Sequence, residues 1–153
     1  MLNIVLYCPE IPHNTGAIGR LVLATGGVLH LIKPLGFSID NKAVKRAGLD
    51  YWKEVEIRIW NNWGEFFREK SKDAGLYLLT TKSKKSYFDL KFKDGDYLVF
   101  GPETKGIPND LLEQFPDNLV TIPMVEASTR SLNLATAVAV VLYEGVRQVG
   151  LKI

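Results

Sequence analysis

The residue types and segments that this sequence lacks exclude several classes of protein. It contains one cysteine, Cys8, among 153 residues, which excludes a disulfide within the chain. Cys8 ends an apolar run just before Pro9, where a small buried thiol fits, and its neighbours offer nothing that would activate it for catalysis. The N-terminus lacks the charged region of a signal peptide, and no apolar run is long enough to cross a membrane. We therefore expect a soluble, cytoplasmic protein that does not bind membranes.

A strong excess of one charge is also absent. The net charge is +2, which does not by itself indicate a nucleic-acid partner. Basic residues nevertheless cluster in the segments 42–46 and 82–85. Such clusters can contact phosphates, although a solvated surface explains each of them equally well. The length and the 46% hydrophobic content predict one globular domain over residues 1–153.

Apolar runs alternate with helical patterns along the chain. Most runs are nearly continuous, which is typical of parallel strands covered on both faces. We therefore predict an α/β fold with a mainly parallel sheet and helices on both faces. Asn14 is expected to cap a first helix that ends at Gly26-Gly27, and Asn62 with Glu65 resembles a capping box. The expected strands are Leu2–Tyr7, Val28–Ile32, Val55–Trp60, Leu76–Leu79, Tyr97–Phe100 and Leu119–Ile122.

The last predicted helix, from about Ser131 to about Gln148, is apolar nearly all round between Leu132 and Tyr143. A helix of this kind must be buried on several sides. As the final element of a small domain, it achieves this most simply by packing on a second copy of the chain. We therefore expect a homodimer; the alternative is a central helix that lies wholly inside one subunit.

The usual nucleotide-binding patterns are missing. The segment HNTGAIGR (13–20) follows the first strand but has the order G-x-x-G, and Lys33 ends the second strand where a dinucleotide site needs an acidic residue. No Walker Lys-Ser/Thr pair follows a glycine-rich loop. These absences disfavour an NAD-dependent oxidoreductase, an ordinary Rossmann-type methyltransferase and an ATPase. Arg20, beside the capping Asn14, either binds a phosphate or hydroxyl group or is simply an exposed arginine.

The chain has instead two strand–loop–helix segments close together, LVFGPETKGIP (98–108) and IPMVEASTRSLNLATAVAVVLYE (122–144). Their loops place several backbone N–H and C=O groups beside Glu103, Ser131 and Asn133. That arrangement suits a ligand with an adenine edge and a ribose, recognised mostly by the main chain.

In this order and spacing, NTGAIGR and the two later segments resemble the three motifs of the SPOUT superfamily of RNA methyltransferases. The likeness is greatest to its small single-domain branch, the tRNA (cytidine/uridine-34) 2′-O-methyltransferases, and the ending YEGVRQ extends it over nearly the whole chain; Ala135 stands where relatives often carry serine. The resemblance implies a C-terminal trefoil knot, S-adenosyl-L-methionine as cofactor and the tRNA anticodon loop as substrate. It also implies a homodimer through the final helix and the helix after Asn14.

The resemblance further implies a role for individual residues. Arg20 becomes the catalytic arginine, with Asn14, Glu103 and Asn133 around it; His13 is a chemically easier base but has no obvious partner. At Gly101 a side chain is expected to occupy the cofactor's space. Cofactor contacts fall to Leu79, Gly101, Ile122, Met124, Ser131 and Leu132, and RNA contacts to Lys82, Lys84, Lys85, Arg46 and Arg130. No metal is implied.

Two alternatives stay open at this stage. One is a 2′-O-methyltransferase that acts at another site in tRNA or rRNA. The other is an RNA-binding module that keeps the fold without catalysis, although the presence of Arg20, Glu103 and Asn133 argues against it. The sequence does not distinguish cytidine from modified uridine, nor one tRNA from another.

Overall fold

A computed structural model of the chain describes residues 1–47, 49–125 and 131–151. Within these residues, six parallel strands form one sheet in the order β3-β2-β1-β5-β4-β6. The strands are β1 (Asn3–Tyr7), β2 (Val28–Ile32), β3 (Ile57–Trp60), β4 (Leu76–Leu79), β5 (Tyr97–Phe100) and β6 (Leu119–Val120). The α-helices are α1 (Pro12–Thr25), α2 (Lys42–Ala47), α3 (Trp63–Glu69), α4 (Asn109–Gln114) and α5 (Leu134–Val149).

Each face of the sheet has its own hydrophobic core. Ile4 and Leu6 of β1 belong to the cluster that includes side chains of α1 and α5. Val5, between them, belongs to the cluster that includes side chains of α3 and α4. Successive residues of a strand point to opposite faces, so an apolar run is required wherever both faces are covered. The predicted parallel sheet with helices on both faces is therefore confirmed.

The first helix corrects one expectation. Asn14 is not its N-cap, because α1 already begins at Pro12 and the capping position is Ile11, whose side chain makes no capping hydrogen bond. Proline favours the first helical position, since its fixed φ suits a helix and it has no N–H to leave unpaired. The predicted end of the helix is confirmed: Gly26 adopts φ = 69°, and the N–H of Gly27 donates to the carbonyl of Val22 at 3.0 Å.

Two other helix starts follow the sequence closely. The side chain of Asn62 accepts the N–H of Glu65 at 2.8 Å, as predicted, but the Glu65 carboxylate accepts from the N–H of Asn61 and so closes only half of a capping box. The last helix begins at Leu134, a turn later than expected, because Asn133 caps it by accepting the N–H of Thr136 at 3.2 Å.

β6 lies at the edge of the sheet, whereas α5, the next helix along the chain, packs near its centre. β6 pairs only with β4, whereas α5 packs on α1 and β5. The connection from β4 to β5 contacts both parts: Thr121 exchanges backbone hydrogen bonds with Lys85 and Tyr87, and the side chain of Gln148 bonds to the backbone of Leu90 and Phe92. None of the helices in the described part of the chain has the length and apolar character needed to cross a bilayer.

His30 on β2 is a buried polar side chain in the core. The indole N–H of Trp60 donates to its Nδ1 at 3.1 Å, so Nδ1 is unprotonated and Nε2–H donates to Oδ1 of Asn3 at 2.9 Å. Burial, with a smaller contribution from the charge of Arg58, lowers the pKa of His30 to about 4. The neutral imidazole is therefore part of the fold.

Candidate active site

A cavity of about 690 Å³ lies at the carboxyl ends of β4, β5 and β6. Its walls are the loop after β4, the loop 101–107 after β5, and the segments 121–125 and 131–134 before α5. This volume is within the range of sites that bind a small molecule or cofactor. Described residues of the two segments singled out in the sequence therefore line one site.

All six residues predicted to contact a cofactor line this cavity. They come from three separate segments of the chain, which only the sheet order brings together. Glu103, one of the residues predicted to be catalytic, also lines it. The six are Leu79, Gly101, Ile122, Met124, Ser131 and Leu132.

The cavity offers backbone donors beside apolar side chains. Among the hydrogen bonds within residues 1–47, 49–125 and 131–151, none uses the backbone N–H of Ile122 or Met124, and Pro123 between them has none to offer. Leu79, Ile122 and Leu132 supply apolar surface around these donors. A flat heteroaromatic ligand with acceptor nitrogens on its edge suits this combination, because those nitrogens accept hydrogen bonds from N–H groups and the ring faces pack on apolar side chains.

The structure gives a physical reason for glycine at position 101. A Cβ at Gly101 would lie 2.2 Å from the nitrogen of Ile107 and 2.3 Å from the carbonyl carbon of Gly106. The loop 101–107 folds back on itself here, with the N–H of Gly106 donating to the carbonyl of Pro102 at 2.9 Å. The first obstacle to a side chain at position 101 is thus the backbone of its own loop.

Three of the four predicted catalytic residues form one hydrogen-bonded chain. The amide nitrogen of Asn14 donates to the Glu103 carboxylate at 3.3 Å, and the amide oxygen of Asn14 accepts from Asn133 at 3.2 Å. The oxygen of Asn133 in turn caps α5. These hydrogen bonds join Glu103, in the wall of the cavity, to Asn14 at the beginning of α1 and then to Asn133 at the beginning of α5, although the three residues lie up to 119 positions apart.

Glu103 also replaces the missing cap of α1. Its carboxylate accepts the N–H of Glu10 at 2.9 Å and the N–H of Ile11 at 2.6 Å. A negative charge at this position is favoured by the unpaired N–H groups and the dipole at a helix N-terminus. In the other direction, the carboxylate of Glu10 accepts the N–H and the hydroxyl of Thr104.

Sequence reasoning missed this reciprocal set of hydrogen bonds, in which Glu10 binds Thr104 and Glu103 binds the backbone of residues 10–11. The partners are more than 90 residues apart, and no local pattern marks them. Thr104 and Lys105 also line the cavity, and no motif signal had pointed to them. Both residues lie in the segment 98–108 that the sequence analysis singled out. The sequence therefore indicated the loop but not the individual roles of these two residues.

Arg20, the fourth predicted catalytic residue, is not brought to this cavity within one chain. It is exposed on α1, and its guanidinium carbon lies 5.9 Å from the centre of the Tyr51 ring. It does not line the cavity. His13 is likewise exposed, in the first turn of the same helix.

The five predicted RNA-binding residues are not all at the cavity. Lys82 and Lys84 line the cavity itself, and Lys82 donates from Nζ to the side chain of Asn109. Lys85 lies just beyond, where its carbonyl accepts the N–H of Thr121. Arg46 is exposed on α2, which packs against α1. Arg130 lies outside the described residues.

Comparison with known proteins decides the family. Residues 1–143 match the model of the SpoU rRNA Methylase family. The chain belongs to this family. It is 50% identical over 151 residues to a protein of Aeromonas hydrophila named tRNA (cytidine(34)-2′-O)-methyltransferase, covering 98% of this chain and 96% of the relative. The resemblance to SPOUT methyltransferases seen in the sequence is confirmed.

Solved structures agree with this assignment. A structure described as "structural insights into the 2-OH methylation of C/U34 on tRNA" superposes with a TM-score of 0.92 at 43% identity, covering 97% of this chain and 95% of that one. The SpoU methyltransferase AviRb from Streptomyces viridochromogenes, in complex with AdoMet, superposes with a TM-score of 0.83 at 26% identity, covering 97% of this chain and 60% of that one.

Proposed function

We propose that this SpoU-family protein is an S-adenosyl-L-methionine-dependent tRNA methyltransferase that methylates the ribose 2′-hydroxyl of the wobble nucleotide, cytidine or modified uridine 34, in the anticodon loop. The observation that carries the proposal is the 690 Å³ cavity whose walls contain all six predicted cofactor residues. The near full-length relative of Aeromonas hydrophila, named for this reaction, supports the choice of substrate.

The residues of the cavity fit the cofactor. The backbone N–H groups of Ile122 and Met124 would hold the adenine edge, and Leu79, Ile122 and Leu132 would cover its faces. Ser131 offers a hydroxyl for a ribose or a carboxylate. When bound, the cofactor supplies an electrophilic methyl group, so that the protein's own residues need only orient the nucleophile and manage its proton.

The hydrogen-bonded chain of Glu103, Asn14 and Asn133 acts as a positioning element in this reaction. It joins the loop 101–107, which forms one wall of the cavity, to the starts of α1 and α5. Because reaction rate depends on the in-line approach of nucleophile and methyl group, a rigid connection between these three elements favours catalysis. Glu103 is the member that also faces the cavity.

Arg20 is the catalytic residue in this proposal, acting on the 2′-hydroxyl. Arginine stays protonated in proteins, so it orients the hydroxyl and an adjacent phosphate and stabilises the developing alkoxide. The proton leaves to that phosphate or to water. Arg20 is exposed and makes no hydrogen bond or ion pair with any residue that the structure describes, which leaves its guanidinium available for such a partner.

A homodimer through α1 and α5 would supply Arg20 to the site. In the single chain α5 buries Val138, Val141 and Leu142, but the opposite stripe is only partly covered, and Tyr143 is 45% exposed. Arg20 projects from α1, which packs directly on α5. A second copy that covers this stripe would place Arg20 close to the partner chain, so that one active site draws on both subunits.

The return of the chain from the edge of the sheet supports a trefoil knot. After β6, Thr121 is held by Lys85 and Tyr87, and near the end of α5 Gln148 is held by Leu90 and Phe92. Both contacts come from the same connection between β4 and β5. In the proposed knot α5 passes through the preceding loop, in the single domain of residues 1–153 of a cytoplasmic enzyme.

The proposed RNA contacts include two lysines of the cavity wall. Lys82 and Lys84 line it and Lys85 lies next to them, while Arg46 and Arg130 complete the set of predicted phosphate ligands. These residues would hold the anticodon loop by its phosphates, with the wobble nucleotide turned out of its stack into the site.

The decisive experiment is methyl transfer from labelled S-adenosyl-L-methionine to an unmodified tRNA transcript with cytidine 34, followed by nucleoside analysis. We expect 2′-O-methylcytidine at position 34, and none when that nucleotide carries a 2′-deoxyribose. A methylated nucleoside at another position would assign a different RNA site. Binding of the tRNA without any methylation would identify a non-catalytic RNA-binding module.

A further inference from the structure

A second cavity, of about 490 Å³, lies beside the cofactor cavity and is given no role by the family comparison. It is formed by residues at the carboxyl ends of β1 and β2, including Cys8 and Leu35, and by the start of the segment after β5. The two cavities share a wall, because Pro102 and Lys105–Ile107 line both. Lys82 also lines both, from the loop after β4.

The position of this second cavity in the sheet is that of a ligand site. From β1 the chain proceeds to β2 and β3 on one side, whereas β5 and β4 lie on the other, so the strand order reverses between β1 and β5. In open parallel sheets, ligands bind outside the carboxyl ends of the strands at such a reversal. Here the predicted cofactor residues lie further along, at β4, β5 and β6, and the crevice at the reversal is available for another ligand.

The lining combines an apolar interior with cations at its edge. Three prolines, Pro34, Pro102 and Pro108, lie around it with the aromatic ring of Tyr7. The cationic side chains are Lys82 and Lys105, which are both exposed. Flat rigid surfaces with nearby positive charge are what proteins use to hold an unstacked base and its phosphate.

The acidic residue of the cavity, Glu10, is held by partners within the protein. The carboxylate of Glu10 is already engaged by the N–H and the hydroxyl of Thr104, at 2.9 and 2.8 Å. The charge of Lys105 acts on this carboxylate and lowers the pKa of Glu10, together with the Thr104 hydrogen bonds that lower it most. Among the described residues, Lys82 donates to the neutral side chain of Asn109 and forms no ion pair, so its positive charge is available to an anion.

The backbone at the base of this cavity is strained. Cys8 adopts φ = 50°, in the left-handed region that residues other than glycine seldom occupy. Strained backbone of this kind concentrates at ligand sites, where the surrounding structure holds it in place. The conformation turns the chain between β1 and α1 and so shapes the floor of the cavity.

We propose that this second cavity binds one further unstacked nucleotide of the substrate RNA, with its base against Tyr7 and the prolines and its phosphate on Lys82 and Lys105. The inference rests on the proposed function. In this proposal the loop 101–107, which contributes residues to both cavities, separates the site of the methylated nucleotide from the site of a neighbouring nucleotide. Recognition of RNA then depends on a base that is not itself modified.

Cys8 allows a direct test, since it is the one cysteine of the chain and lines the second cavity but not the first. Burial raises the pKa of its thiol, so alkylation with N-ethylmaleimide is followed at a mildly alkaline pH of about 8.5, where a minor fraction of the thiol is ionised and reacts. The rate is measured for the protein alone, with S-adenosylhomocysteine, and with a synthetic anticodon stem-loop RNA whose binding is confirmed separately by fluorescence anisotropy.

We expect the bound RNA to slow alkylation of Cys8 and S-adenosylhomocysteine to leave it unchanged. In the alkylated protein, KM for the RNA should be raised roughly tenfold, which is the change in affinity expected from the loss of one stacked base. The affinity for S-adenosylhomocysteine should be retained. The Cys8→Ser variant treated with the same reagent controls for modification elsewhere and should behave as untreated protein.

Two lysine variants provide a matched comparison. Lys82 lines both cavities and Lys84, two residues on, lines only the first. At equal saturation with RNA, Lys82→Ala should lose protection of Cys8, and Lys84→Ala should keep it. If the RNA binds and is methylated while Cys8 stays as reactive as in the free protein, the second site is refuted and the proposed function stands. Protection by S-adenosylhomocysteine alone would reassign the cavity to the cofactor, and RNA that does not bind at all would overturn both proposals.

Discussion

Glu103 and Glu10 cap each other's loops across the carboxyl ends of β1 and β5. The Glu103 carboxylate accepts the backbone N–H of Glu10 at 2.9 Å, and the Glu10 carboxylate accepts the backbone N–H of Thr104 at the same distance. Glu103 lines the cofactor cavity and Glu10 lines the second cavity. These two acidic residues therefore hold the loops that line the two candidate sites, even without a bound ligand.

The first prediction concerns this capping role. Glu103→Ala should lower the free energy of unfolding by about 1–3 kcal/mol, because two backbone N–H groups and the Asn14 amide lose a charged acceptor. Glu103→Gln, which keeps one acceptor oxygen, should lose less. Urea denaturation gives the values, with Glu113→Ala on exposed α4 as the control. Equal stability of Glu103→Ala and the control would show that the cap contributes nothing.

The second prediction concerns His30 and pH. Its pKa in the folded protein is about 4, below the ordinary 6.5, so the unfolded chain takes up the proton first as the pH falls. The stability that neutral His30 contributes is thus complete above pH 6.5 and is lost between about 6.5 and 4, by up to roughly 3 kcal/mol. Urea denaturation at several pH values should show this slope.

The two histidines of the chain provide the matched variants for this measurement. His30→Gln should be less stable at neutral pH, since Trp60 and Asn3 lose their partner, and should show little of the slope. His13→Gln removes an exposed histidine and should keep it. If the slope survives in His30→Gln and disappears in His13→Gln, His30 is not the source of the pH dependence and the prediction is wrong.

The third prediction concerns Gly101. Gly101→Ala should weaken binding of S-adenosylhomocysteine by about tenfold or more, because the new Cβ forces the backbone of Gly106 and Ile107 away and reshapes the wall of the cavity. Calorimetry measures the affinity. The control is Gly64→Ala, whose Cβ would lie 3.4 Å from the side chain of Asn62, and it should bind normally.

The fourth prediction separates catalysis from cofactor binding. Arg20→Ala should reduce methyl transfer by about a hundredfold or more, and its affinity for S-adenosylhomocysteine should stay nearly intact, because Arg20 does not line the cofactor cavity. Arg20→Lys should also be poor, since an ammonium does not reproduce the planar guanidinium. Parallel loss of affinity and activity would contradict this division of roles.

The fifth prediction concerns the proposed dimer. Tyr143→Asp should give a folded monomer with little activity, because Tyr143 is 45% exposed within one chain and a charge there would be buried by a partner. Phe67→Asp changes a similarly exposed aromatic residue in α3, which packs on the other face of the sheet, and should leave the dimer intact. Analytical ultracentrifugation distinguishes the species. A fully active wild-type monomer at micromolar concentration would refute the dimer.

Much of the fold is written locally in the sequence. The strands were predictable because a parallel strand covered on both faces must be apolar at nearly every position, as in β2, where all five residues are buried. The end of α1 was predictable because Gly26 must adopt a positive φ. The motif loops 101–107 and 122–133 indicated the cofactor site because they follow such strands directly.

Tertiary structure alone decided how the side chains are used. Asn14 reads locally as a cap, yet it bonds to Glu103 and Asn133, which lie 89 and 119 positions away, because the sheet order brings their loops to one edge. The second cavity depends in the same way on β1 and β5 becoming neighbours. Periodicity and capping patterns describe interactions within about one helical turn or one strand, so contacts made between distant loops are outside what they can specify.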